Sequence, residues 1–382
     1  MTMKTIPYGS QWIDDEDIKA VVEVLKEDWI TQGPTITQFE ETLAKYVGSR
    51  YAVAFNSGTS ALHGAMFVAG VSTGDEVITS PITFLATANS FVYLGGIPVF
   101  VDIDPTTVCI DPQRIEDAIT SRTKVIAPVD MAGYPVDMHK IRAIARKYKL
   151  IIIEDAAHAL GARRYGKMVG QEADMTMFSF HPVKHITTGE GGMIVTDNEE
   201  YAERLRMFRN HGITRDPNQF ISNDGPWYYE MHILGYNYRI TDIQCALGIS
   251  QLKKLEDFIK RRNEIADTYD SAFQDLPGII TPPLPPWTDS RHAFHLYPIQ
   301  ITGNERRDVM VKLKERGILT QVHYIPIHCQ PFYQEKFGFQ KGQFPYAEDY
   351  YKHELSLPIF PKMNDQDVEK VISSVFSVLG EI

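Results

Sequence analysis

Cysteine is scarce in this chain. Cys109, Cys245 and Cys329 are the only three in 382 residues, too few and too scattered for a disulfide framework or a zinc cage, and a reducing compartment suits them. Long apolar runs are missing too: no stretch of about 18 residues could span a bilayer, and residues 1–7 carry no apolar signal core. The expectation is a cytoplasmic protein. Positive charge is in deficit, with 38 Lys and Arg against 49 Asp and Glu for a net charge of −11, which argues against nucleic acid and anionic membrane surfaces as partners. A small anionic ligand held by local N–H groups is still allowed. There is no internal repeat and no low-complexity tract, and a hydrophobic content of 43% supports a sizeable core, in two closely packed domains rather than one.

Helix and strand patterns alternate through the first two-thirds of the sequence. Ile18, Val21, Val22 and Leu25 mark one helix face after the acidic turn at residues 14–17, and Phe39, Leu43 and Val47 mark the next before Gly48. Strand-like runs follow at residues 52–55, 76–79, 98–103, 124–129, 150–153, 175–180 and 192–196. Seven strands separated by helices predict one mostly parallel, doubly wound α/β sheet. A long amphipathic stretch starts at Thr241 and leaves this unit. It is followed by a Pro-rich segment, an alternating strand at 292–301 and helices around 306–316 and 365–379, a smaller α+β domain. The predicted division is residues 14–245 and 246–382, with residues 1–13 attached to the second.

Three segments carry candidate chemistry. Lys184 stands in Phe178-Ser-Phe-His-Pro-Val-Lys184-His-Ile-Thr-Thr-Gly-Glu-Gly-Gly192, on a loop between two buried strands. A desolvated lysine there can lose its proton and form a Schiff base with an aldehyde; the alternative is an ordinary exposed loop lysine. Asn56-Ser-Gly58-Thr59-Ser60 follows a strand and opens a helix, so its unpaired N–H groups and the helix dipole favour a phosphate, although the same residues also make a plain N-cap. Leu150-Ile-Ile-Ile-Glu154-Asp155-Ala-Ala-His158 reads as a parallel strand covered on both faces and ending in carboxylates. Strand carboxyl ends are where open α/β sheets bind ligands, so Asp155 is placed to pair with a pyridinium nitrogen or, more simply, to cap a turn. His323 and His328 are five apart, but no carboxylate or cysteine set accompanies them in the sequence, and no metal is expected.

Phosphate nest, pyridinium partner and Schiff-base lysine, in that order, are what pyridoxal 5′-phosphate needs from a protein. With 30–34 (Ile-Thr-Gln-Gly-Pro), 80–89 (Ser-Pro-Ile-Thr-Phe84-Leu-Ala-Thr-Ala-Asn) and 235–248 (Gly-Tyr-Asn237-Tyr-Arg-Ile-Thr-Asp-Ile-Gln-Cys-Ala-Leu-Gly), the chain resembles the DegT/DnrJ/EryC1/StrS sugar aminotransferases from Tyr8 almost to its end. Segments 179–192, 209–213, 321–328, 347–351 and 355–358 further resemble that family's pseudaminic acid branch.

The resemblance implies the PLP-dependent transferase fold of the aspartate aminotransferase type (fold type I). It implies that Lys184 holds the cofactor as a Schiff base, and also serves as general acid/base while the cofactor cycles through its pyridoxamine form. Asp155 would pair with the ring nitrogen, His158 would lie near the ring hydroxyl and Phe84 would stack on the ring. Gly58, Thr59 and Ser179 would bind the phosphate, and Asn237 would reach the phosphate of a partner subunit in a homodimer. For Phe84 and His158, plain structural roles stay open. Tyr8, Asp28, Trp29, Ile30, Thr31, Val322, His323, Tyr324 and Ile325 would contact the nucleotide sugar. The implied reaction moves an amino group from L-glutamate to C4 of a UDP-linked 4-keto-6-deoxy-N-acetylhexosamine (UDP-2-acetamido-2,6-dideoxy-β-L-arabino-hexos-4-ulose) in pseudaminic acid synthesis. Alternatives are another NDP-keto-sugar, in a C3 or epimeric C4 series, or a non-catalytic PLP-binding regulator. A related dehydratase subgroup replaces the lysine by histidine; here Lys184 is present between His181 and His185, which favours aminotransfer.

Overall fold

The computed structural model describes residues 4–380. Helix α1 (Asp15–Val24) starts where the acidic turn predicts, because Asp14 and Asp17 form a reciprocal capping box. Helix α2 (Pro34–Val47) has proline in its first turn and ends on Gly48 in the left-handed conformation. Strands β1 (Tyr51–Phe55), β2 (Glu76–Thr79), β3 (Ile97–Phe100), β4 (Thr123–Ala127) and β5 (Ile151–Asp155) follow, then a two-residue hairpin, β6 (Arg163–Arg164) and β7 (Lys167–Met168), then β8 (Met175–Ser179) and β9 (Gly192–Thr196). Between them lie α3 (Gly58–Val68), α4 (Leu85–Val92) and α5 (Met138–Tyr148), and α6 (Glu199–Phe208) follows β9.

The large sheet has seven strands in the order β1-β9-β8-β5-β4-β2-β3. Its pairs are parallel from β8 through β5, β4 and β2 to β3, and β9 alone runs against both neighbours, β1 and β8. This is the mostly parallel α/β sheet of the fold type I transferases. One face packs Phe55, Leu62, Met66 and Phe91. The opposite face packs Phe39, Leu43, Phe178 and Phe180 at one end and Ile78, Ile126 and Ile152 at the other. Burial on both faces is why these strands read as unbroken apolar runs rather than alternations.

The stretch from Thr241 is two helices, α7 (Asp242–Leu252) and α8 (Leu255–Phe273), interrupted at Lys253-Lys254. The start of α8 packs Leu255 and Ile259 on the large sheet, while Ile265, Tyr269 and Phe273 enter a second core with Ile6, Tyr297, Leu355 and Val371. That core surrounds a three-stranded antiparallel sheet of β12 (Ile279–Ile280), β13 (Tyr297–Ile301) and β14 (Glu354–Leu357), after the short pair β10 (Ile213–Thr214) and β11 (Glu230–Met231). Ile6 joins it through hydrogen bonds to Gly317 and Leu319.

The expected strand over 292–301 is shorter, and only 297–301 is extended in the sheet. Phe294 has a φ of 43° and donates its N–H to His292 Nδ1, while Ala293 and Leu296 donate to the carbonyls of Gly133 and Ala132. Those bonds to a neighbouring loop divert the first half from strand pairing. No helix among the described residues is long and apolar enough to cross a membrane.

Candidate active site

The site is built where β1, β5 and β8 end. Ser57 caps α3, its hydroxyl accepting from the Ser60 amide while Ser60 Oγ accepts from the Ser57 amide. That cap leaves the amides of Gly58 and Thr59 with no protein acceptor among the described residues, at the positive end of the helix dipole. A Cβ on Gly58 would sit 3.2 Å from Ser179 Cβ and 3.3 Å from Ser179 Oγ, so two free amides and a hydroxyl face the same small space. Gly192 makes that approach possible. A Cβ there would meet the Ser57 carbonyl at 2.5 Å and the Gly58 amide at 2.6 Å, a clash no rotamer relieves.

Asp155 lies at the carboxyl end of β5, buried, accepting from Thr87 Oγ1 at 2.6 Å and from the Ala157 amide at 3.1 Å. Burial raises its pKa, and Thr87, Ala157 and the charge of Lys184 only partly oppose that. Lys184 sits on the loop joining β8 to β9, which is stiffened from within: Thr187 Oγ1 and the Thr188 amide both donate to the Phe180 carbonyl, and the Lys184 amide donates to His181. Its Nζ lies 3.5 Å from His295 Nε2. Burial lowers the amine to about 8, assisted by Arg262 and opposed by Asp155. A lysine near that value is nucleophilic at neutral pH.

Around this pair the structure gathers His158, Tyr324, His323, Tyr8 and Phe84. Tyr324 OH is 3.1 Å from His158 Nε2, and His158 Nδ1 accepts from the Ala132 amide at 3.3 Å. Burial, then Lys184 and two neighbouring imidazoles, push His158 well below its usual pKa, so it is a neutral hydrogen-bonding group. Tyr8 packs on His323 at 5.4 Å and the half-exposed Phe84 lies 6.0 Å from Tyr324. His323 is anchored from behind, its amide donating to Glu354 and its Nδ1 lying 2.9 Å from Ser356 Oγ. The His323–Tyr324 peptide is cis.

Other expected contacts fall elsewhere in the chain. Asp28, Trp29, Ile30 and Thr31 are exposed and attach to the start of α7, with Thr31 bridged to Thr241 and the Ile30 carbonyl accepting from Asp242. Among the described residues no hydrogen bond, ion pair or ring contact links them to Lys184. Val322 packs on the small core and Ile325 is exposed. Asn237 is exposed, pairing through its backbone with Asn210, while the next carbonyl, Tyr238, accepts from Asn56 beside the nest. The two histidines set five apart point to different neighbours: His323 to Ser356, His328 to Glu348 at 3.0 Å and Cys329 at 3.3 Å. A cysteine and a carboxylate therefore do accompany His328, and hydrogen bonds join the three. A cavity of about 430 Å³ bounded by Arg206, Arg209, Arg215 and Arg239 is lined by none of the residues around Lys184, and the chemistry argues for the latter as the site.

A family model described as the DegT/DnrJ/EryC1/StrS aminotransferase family matches residues 11–376. The chain belongs to that family. The spore coat polysaccharide biosynthesis protein SpsC of Bacillus subtilis is 45% identical over 379 residues, covering 98% of this chain and 97% of SpsC. Among solved structures, Helicobacter pylori PseC, described as an aminotransferase involved in the biosynthesis of pseudoaminic acid, superposes with a TM-score of 0.92 at 37% identity, covering 99% of this chain and all of that one. A Streptococcus pneumoniae chain, Spr1654, described as a sugar aminotransferase, matches in its PMP form (TM-score 0.92, 32% identity, 98% and 99% covered) and its PLP form (0.91, 31%, 99% and 99%).

Sequence reasoning missed Thr87, His295 and Arg262. Arg262 had a signal: it stands at the i+3 and i+4 positions from Ile259 and Phe258, and three and four before Ile265 and Ala266, on the apolar stripe of α8 where a charge is out of place. Thr87 and His295 had none, since their partners are distant in sequence.

Proposed function

We propose that the chain is a pyridoxal-phosphate aminotransferase that moves nitrogen from L-glutamate to C4 of a UDP-linked 4-keto-6-deoxy-N-acetylhexosamine, the pseudaminic acid series. The observation that carries the reading is Lys184, a depressed amine between a buried Asp155 and an anion nest with two unused amides. These residues fit the cofactor. Gly58, Thr59 and Ser179 would hold its phosphate, Asp155 its ring nitrogen, and Lys184 its carbonyl carbon. When bound, the cofactor supplies an electron sink that acidifies the carbon bearing the transferred nitrogen.

The protein's part is placement and proton transfer. Asp155 is kept out of water with Thr87 and Ala157 fixing its oxygens, so its attraction for a ring N–H is undiluted by solvent. Released from the carbonyl carbon, the Lys184 amine is a base of suitable strength to take a proton from one carbon and return it to another. His158, fixed by Ala132 and Tyr324, offers a neutral hydrogen bond. Asn237 is exposed close to the nest, and we assign it to the phosphate of a partner subunit in a homodimer. Asp28, Trp29, Ile30 and Thr31, which their own chain does not bring to Lys184, are assigned to the nucleotide sugar together with Tyr8 and the loop Val322, His323, Tyr324 and Ile325. The resemblance of segments 179–192, 321–328 and 347–358 to the pseudaminic acid branch, and the likeness to PseC, support the L-configured sugar.

The test is to load the enzyme with pyridoxamine phosphate, offer freshly made UDP-4-keto sugars of both C5 configurations in competition, and identify products by NMR. The expected result is faster amination of the L-configured ketone. Faster use of the D-configured one would reassign the sugar, and no amination of any keto-sugar would overturn the reading.

A further inference from the structure

Arg262 is 1% exposed, yet no carboxylate among the described residues lies within ion-pair reach of it. Its Nη1 donates to three main-chain carbonyls, Phe294 at 3.1 Å, His295 at 3.2 Å and Ile359 at 2.9 Å, while its Nε has no partner. Taking a guanidinium out of water costs several kcal/mol unless a counter-charge repays it. Carbonyl dipoles repay part, and the unserved Nε shows that local packing alone has not been satisfied. A methionine would fill the same space on the apolar stripe of α8 without the charge. The charge therefore needs an explanation beyond packing.

Its neighbourhood supplies one. The carbonyl of His295 accepts from Arg262, and the imidazole of the same residue touches Lys184 Nζ at 3.5 Å. The groups that face the lysine amine are Asp155 at the end of β5, His158 just after it, His181 and His185 on the lysine's own loop, His295 before β13, His323 from the 322–325 loop, and Arg262 from α8. Burial holds all five imidazoles below their usual pKa, which favours their uncharged forms at neutral pH. The charges left are Asp155, which favours a protonated amine, and Arg262, which opposes it.

We propose that Arg262 is a positioning residue for Lys184: clamped by three carbonyls and cancelled by no carboxylate, it fixes His295 against the lysine and favours the neutral, nucleophilic form of the amine. The proposal rests on the reading of Lys184 as the cofactor-binding lysine. A guanidinium suits the task because it stays charged where a buried ammonium would shed its proton.

The experiment compares wild type with Arg262→Gln, which keeps an N–H₂ for the carbonyls and removes the charge, and with Arg262→Met, which removes charge and clamp together. For each holoenzyme the pH midpoint of the cofactor's visible absorbance change is measured beside the melting temperature. The expected result is a midpoint at least one unit higher in both variants, a tenfold shift in protonation, although Arg262→Met melts lower. Overlaid curves for wild type and a folded Arg262→Gln overturn the proposal, as does an upward shift confined to Arg262→Met. Should neither variant fold, Arg262→Lys is measured instead: burial strips the proton from its ammonium, so a raised midpoint supports the proposal and an unchanged one overturns it. A wild type whose absorbance is independent of Lys184 would instead refute the reading of the site itself.

Discussion

Among the described residues two arginines are buried, and they are treated in opposite ways. Arg164, fully buried, donates to Glu154 and Glu172 at 2.7 Å each and lies 3.8 Å from Asp130; Arg262, as buried, meets only carbonyls. Burial works to lower the pKa of both. Around Arg164 the charges of Glu154, Asp130 and Glu172 overcome it and raise the pKa, while Arg262 falls to about 9. The two regions are joined by one dipeptide: Glu154 and Asp155 point to opposite faces of β5, the first into the Arg164 cluster and the second toward Lys184. Charge is neutralised where it supports the sheet and left uncompensated where it acts on the amine.

The contrast can be broken most severely at Arg164. Arg164→Met strands three carboxyl groups in the core, and a loss of about 3–5 kcal/mol is expected in urea unfolding; a loss below 1 kcal/mol would show that the cluster is not a unit. Next in size is Lys184→Met in the cofactor-free protein. The folded pKa of Lys184 lies below its ordinary value of 10.5, so the folded state resists the proton that the unfolded chain accepts. The penalty is complete below about pH 8 and disappears as pH rises toward 10.5. Removing the amine should therefore stabilise by about 1–3 kcal/mol at pH 7 and by almost nothing at pH 10.5, checked by melting curves at both pH values.

Arg262→Met should destabilise less than Arg164→Met does, by about 1–2 kcal/mol, because the carbonyls lose donors while a buried charge is relieved. Equal losses at the two positions would erase the distinction. The smallest effect belongs to Lys167→Ala. Lys167 lies 3.6 Å from the same Glu172 but is half exposed, so water and salt screen it, and double-mutant analysis with Glu172→Gln should give a coupling under about 1 kcal/mol.

The same contrast shows what could be read from the sequence. Local signals were legible: the acidic turn before α1, Gly48 after α2, the runs that became the seven strands, and a lysine on a short loop between two of them. Each depends on residues a few positions apart. The Arg164 cluster joins residues 130, 154, 164 and 172 from β5, β6 and two loops, and nothing in the linear pattern distinguishes these charges from surface ones. Thr87 reaches Asp155 across 68 positions and His295 reaches Lys184 across 111. The shortened strand before β13 was unreadable for a similar reason, since its backbone bonds are taken by Ala132 and Gly133. Residue patterns pointed to Asp155 and Lys184, and the family resemblance added His158, but what sets their protonation comes from partners that only folding supplies.

The position of β1 has a consequence in time. It is an edge strand whose sole sheet partner is β9, about 140 residues later, and the nest at Ser57 and Gly58 takes its shape only once Gly192 lies against it. During synthesis the ribosome must release the chain past Thr196 before β1 has anything to pair with. Until then its apolar residues and unpaired backbone are a hazard for association with other nascent chains. The parallel strands β2 to β5 can meet earlier, from shorter sequence separations. The anion nest is thus expected to be among the last parts of the large sheet to form.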